Sequence, residues 1–87
     1  MIQLEKEIID ALANDYENLD QMHQIMNQSR KNTSIVDTLW SLIQEGYIAC
    51  FLPVAAEMRL ITQPERSLLS DYWLALTEKG EQLLARF

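Results

Sequence analysis

The sequence predicts an α+β fold, mainly α with a small antiparallel β-hairpin, and three observations predict it. Apolar residues recur at helical spacing in two stretches: Leu4, Ile8 and Leu12, then Ile35, Leu39, Leu42 and Ile43. Residues 48–52 and 72–76 instead carry the two-residue alternation and aromatic content of strands. Capping residues and a glycine fall at the borders between these stretches. At 87 residues the chain has room for one core, so a single domain over 1–87 is expected.

The first helix is expected from about Gln3 to Asn14, with Ile9 beside the Leu4, Ile8, Leu12 stripe and Glu5, Glu7 and Asp10 falling elsewhere. Asn14 and Asp15 end it, and Asn18 or Asp20 can cap a second helix over Gln21 to Met26, with Met22, Ile25 and Met26 inward. Asn27 tolerates the left-handed conformation that stops a helix, and Gln28 to Asn32 (QSRKN) make a polar turn. Thr33 or Ser34 caps the third helix, whose stripe of Ile35, Leu39, Leu42 and Ile43 has Val36 and Trp40 on its shoulder. Gly46 supplies the positive φ that ends it.

Ile48, Cys50 and Leu52 then alternate with Ala49 and Phe51 as a strand, and Pro53 ends that strand or puts it at an edge. The stretch VAAEMRLITQPERSLLSD reads as a long loop holding one short helical turn, because Thr62 and Glu65 stand at capping-box spacing before Arg66 to Leu69. YWLAL, Tyr72 to Leu76, is a strand with Tyr72, Leu74 and Leu76 inward and Trp73 outward. Thr77 caps a last helix running to about Arg86.

Two adjoining signatures carry a resemblance. Leu39-x-x-Leu42-x-x-x-Gly46-Tyr47-Ile48 is similar to a recognition helix ending in glycine and running into a wing strand. Tyr72-Trp73-Leu74-Ala75-Leu76-Thr77-Glu78-Lys79-Gly80, followed by Leu83-Leu84, looks like the second wing strand turning at L-T-x-x-G into a packing helix. In this order they resemble the winged helix-turn-helix superfamily, nearest to bacterial MarR-type and PadR-type regulators, over roughly residues 18–87. The resemblance implies the order helix, helix, helix, strand, long wing loop, strand, helix, and a third helix that enters the DNA major groove.

Its groove-facing positions correspond to Thr33, Ser34, Asp37, Thr38 and Ser41, the candidate base contacts. Arg30 and Lys31 in the turn, with Arg59 and Arg66 in the wing loop, are the candidate phosphate contacts. If all four of these cations met phosphate, binding would fall with salt at a slope of roughly −3 to −4. The chemistry of the third helix points the other way. Hydroxyls discriminate bases poorly, and no lysine or arginine occurs from Asn32 to Met58, whereas Asp37, Glu45 and Glu57 do. Thirteen acidic against seven basic residues give a formal charge of −6, which repels free nucleic acid on average.

An apolar fraction of 48% leaves side chains over for an interface. Trp73, turned outward on a strand, is a candidate protein-contact anchor, with Trp40 at the border of the third helix. Leu4 and Ile8 could pair the first helix with its twin in a homodimer, although packing against the third helix explains them more simply. His23 is expected packed or half-buried, and Cys50, the one cysteine, a buried inert thiol. Neither fits a metal site, and no nucleophile or acid–base constellation is present, so no enzyme activity, metal or cofactor is expected. The longest apolar run, Ile48 to Ala56, is too short for a membrane helix, and with the lone thiol it suggests a cytoplasmic address. Two functions are therefore expected: an interaction module that binds a protein partner or a second copy of itself, or a small DNA-binding transcriptional regulator.

Overall fold

The helices pack together on one face of an antiparallel sheet in a computed structural model that describes residues 3–13, 15–26 and 34–87. The described elements are α1 (Gln3–Ala11), β1 (Glu17–Asn18), α2 (Leu19–Ile25), α3 (Ser34–Gln44), β2 (Ile48–Val54), β3 (Glu57–Ile61), a 3₁₀ helix (Arg66–Asp71), β4 (Trp73–Leu76) and α4 (Glu78–Leu84). The fold is mixed α+β, but its sheet is larger than the single hairpin expected: four strands in the order β1-β4-β2-β3.

In α1, Ile8 and Ile9 are fully buried, and Leu12 just beyond its end is buried with them. The helix stops at Ala11, three residues before the expected end. Asn18 then serves twice. It closes β1, paired with Trp73, and caps α2 in a reciprocal box with Gln21: its side chain accepts from the Gln21 N–H at 2.8 Å, while its own N–H donates to Gln21 Oε1 at 3.0 Å. Because α2 begins at Leu19, its inner stripe runs through Leu19, Met22, His23 and Met26, and Ile25 is left 52% exposed rather than inward.

The α3 stripe is as expected, with Ile35, Leu39, Leu42 and Ile43 in the core and Val36 and Trp40 half-buried against it. The helix ends in a Schellman motif. Tyr47 N–H donates to Leu42 O at 3.0 Å, Gly46 N–H donates to Ile43 O at 3.1 Å, and Gly46 has φ of 87°. Pro53 does not end β2, which continues to Val54 and turns through Ala55-Ala56 into β3. In a two-residue hairpin the pair flanking the loop, Val54 and Glu57, is the hydrogen-bonded one. The nitrogen of Pro53, one residue on, therefore faces away from β3, past the end of β4, and no ladder bond is lost.

The expected helical turn is the 3₁₀ helix, but Glu65 stands as its N-cap without a side-chain bond, so the Thr62–Glu65 capping box is not formed. Buried Tyr72 holds this segment instead, its hydroxyl accepting the Glu65 N–H at 3.0 Å. The two sequence signatures meet at the start of α4. The Thr77 hydroxyl accepts the Gly80 N–H at 3.1 Å and donates to Gly46 O at 2.6 Å, while Thr77 N–H donates to Tyr47 O at 3.1 Å. Lys79 adds a bond to Glu45 O at 2.7 Å. The start of α4 is thus fastened to the end of α3.

Candidate functional site

Strand register divides the sheet into two unlike faces. On the inner face Leu74, Cys50 and Ile61 lie side by side, and Leu74, Cys50 and Ile48 are at most 2% exposed under the helices. On the outer face the facing residues are Asn18, Trp73, Phe51 and Leu60, one from each of the four strands. Trp73 and Phe51 are half-buried and Leu60 is 53% exposed, so no helix seals this row. Tyr16, just before β1, sets its ring edge-on to Phe51 with centroids 5.2 Å apart. Beside them a concavity of about 500 Å³ is walled by Tyr16, Trp73, Pro53 and Met58, with Asp15 and Glu17.

Trp73 was legible as outward-facing from the YWLAL alternation. Phe51 was legible by the same parity, opposite in phase to Ile48, Cys50 and Leu52. Tyr16, Met58 and Leu60 were not, because β1 is too short for a period and β3 (EMRLI) mixes charged and apolar residues.

The polar face of α3 is the second surface. Ser34, Asp37 and Ser41 are exposed and Thr38 is half-buried; Thr33 and the candidate phosphate contacts Arg30 and Lys31 lie outside the described residues. Asp37 forms an ion pair with Arg66, brought over from the 3₁₀ helix. A candidate base contact and a candidate phosphate contact are therefore spent on each other. Arg59 is exposed on β3, opposite Leu52. Of the other expected anchors, Ile8 is wholly buried and presents no interface. Leu4 and Trp40 are half-buried against the core, and only Trp73 belongs to the open face. The first-helix stripe is consumed by intrachain packing.

The remaining described lysines are also engaged. Lys79 lies over the Tyr47 ring at 4.5 Å and Lys6 over Phe87 at 5.7 Å. Cys50 is 1% exposed, and burial pushes its thiol from an ordinary 9.0 up to about 11. His23 is 5% exposed with its Nδ1 unpaired, and no group of three or more His, Cys, Asp or Glu able to hold a metal occurs among the described residues. Among those residues no helix is long and apolar enough to cross a membrane.

Fold and surfaces together define a small α+β domain with an acidic balance and one open aromatic sheet face. No protein-family model, curated protein or solved structure matches the chain.

Proposed function

We propose that the chain is a winged-helix interaction module that binds a protein partner through the outer face of its sheet. The winged-helix assignment is supported by the leading helices, by α3 running through Gly46 into a strand, and by the final strand lying between the first and second in the sheet. The observation that carries the function is the open row of Trp73, Phe51 and Leu60, with Tyr16 against it. Aromatic side chains left half-open on a strand are favourable anchors for a protein contact.

The alternative is a small DNA-binding transcriptional regulator, and the exposed position of Ser41 on the polar face of α3 favours it. Electrostatics weigh against it: Arg66 is neutralised by Asp37, and Arg59 is the one candidate phosphate contact among the described residues without such a partner. Fluorescence anisotropy of a labelled random-sequence duplex, at low salt and then with added salt, separates the two. The module shows no binding at tens of micromolar, roughly where non-specific binders register. Binding that weakens steeply with salt would restore the regulator.

A further inference from the structure

β3 is the last strand of the sheet, and one of its edges pairs with nothing. We propose that this free edge joins β3 of a second copy, antiparallel about a two-fold axis, to make a homodimer with one continuous sheet.

Backbone parity fixes what the edge offers. Val54 and Glu57 flank the two-residue loop as a hydrogen-bonded pair, so Glu57, Arg59 and Ile61 spend their backbone groups on β2. The N–H and C=O of Met58 and Leu60 therefore point to the free edge, where no described residue bonds to them. Such an edge is a template for another strand. The opposite edge of the sheet cannot serve, because β1 is two residues long. Pairing through β3 alone closes at two copies.

Charge complementarity selects a second copy and sets its register. Glu57 and Arg59 project from the same side of β3, opposite Val54 and Leu52. Both are exposed, and neither has a charged partner among the described residues. When Met58 lies opposite the partner's Met58, Glu57 faces the partner's Arg59 and Arg59 faces the partner's Glu57. These are non-hydrogen-bonded positions, where facing side chains come closest, so both charges of each chain are matched. A slip of two residues one way sets Arg59 against the partner's Arg59. The same slip the other way sets Glu57 against the partner's Glu57, and like charges directly opposite are destabilising. A slip of one residue turns each side chain toward the wrong face.

A foreign strand would need an acid and a base in the same order and spacing, which β3 itself supplies. The first helix offers no competing route, because Ile8 is wholly buried within its own chain. The formal charge of −6 opposes self-association at long range. Physiological salt screens charges beyond about 8 Å and leaves the contacting pairs in force. Edge pairing also leaves Trp73 and Phe51 open on each copy, so it adds to the interaction-module reading and does not depend on it.

The test is sedimentation equilibrium of the full chain at physiological salt, from roughly ten micromolar to one millimolar. A monomer–dimer equilibrium is expected. Glu57→Arg or Arg59→Glu alone places like charges at both contacts and should weaken the dimer about tenfold. The two substitutions together exchange the charges and should restore it. Met58→Pro removes an edge N–H that has no bond within the chain, and should abolish the dimer while keeping the far-UV circular dichroism of the folded chain. Hydrogen exchange supplies a readout without disturbing the strand's backbone: the Met58 N–H should be protected at millimolar concentration and exposed in Arg59→Glu.

A monomer throughout the range would overturn the proposal. So would a dimer that the single charge reversals leave equally tight, or one that the double exchange fails to restore. A dimer dissociated by Trp73→Ala but not by Met58→Pro would overturn it in favour of contact through the outer face.

Discussion

Ala55 has φ of 57° and is the one described non-glycine residue with positive φ. Positive φ at only the first residue of the β2–β3 loop is the type II′ pattern, which is normally glycine's place. An L residue there costs about 1–2 kcal/mol, and glycine gives back about 0.4–1 kcal/mol through its freer unfolded chain. Ala55→Gly is thus expected to stabilise the protein by roughly 0.5 kcal/mol net, read as a higher urea midpoint at unchanged slope; a lower midpoint would contradict the strain. Cys50 gives a second prediction. Its pKa is raised on folding from 9.0 to about 11, so its contribution to stability is full below pH 9 and is lost as pH rises through about 11. At pH 8 the native chain should hold roughly a hundredfold less thiolate than the unfolded one, and iodoacetamide should alkylate it correspondingly slowly. Fast alkylation under native conditions would mean that the inner sheet face opens.

At the scale of elements, the junction of α3, β2 and α4 is where sequence signature and structure agree most closely. A Cβ added to Gly80 would lie 2.2 Å from the Tyr47 carbonyl oxygen, a backbone atom that cannot rotate away. Gly80→Ala should therefore destabilise by roughly 1–3 kcal/mol through overpacking, lowering the thermal midpoint. A neutral result would show that α4 can shift off the strand without loss. Glycine, threonine and aromatic residues at fixed offsets made this junction readable, because each answers a local need: positive φ, a cap, a close approach. β1 and β3 were not readable. β1 is two residues long, below any periodicity, and exists because Glu17 and Asn18 find β4. β3 alternates charge with apolar residues as an exposed edge strand does, and its pairing is fixed by the two-residue turn at Ala55-Ala56 rather than by its composition. The Asp37–Arg66 pair joins residues 29 apart, one on α3 and one on the 3₁₀ helix, and no local spacing brings them together, so sequence assigned each partner a separate role.

At the scale of the molecule, one core cluster joins α1, α2, α3, the inner sheet face and the 3₁₀ helix, so a side chain serves either that core or the outer face. Periodicity alone put Ile8 and Trp73 together as interface candidates; burial separates them, with Ile8 at 0% exposure and Trp73 half-buried on the open side. The separation predicts opposite consequences. Ile8→Ala removes packing from the centre and should destabilise by about 2–5 kcal/mol, a large share of the roughly 4–13 kcal/mol expected for a chain of this size. Far-UV circular dichroism and tryptophan fluorescence should report one shifted transition, because a chain with one core cluster, against which Trp40 packs, unfolds as a unit. Where enough Ile8→Ala protein remains folded, its affinity for an outer-face ligand should be unchanged. Trp73→Ala leaves the cluster intact and should destabilise less, about 1–2 kcal/mol, while removing the central ring of the outer face and with it the binding. If Ile8→Ala weakened binding at a temperature where it is folded, or Trp73→Ala left binding intact, the division of the molecule into a structural inner face and a recognising outer face would be wrong.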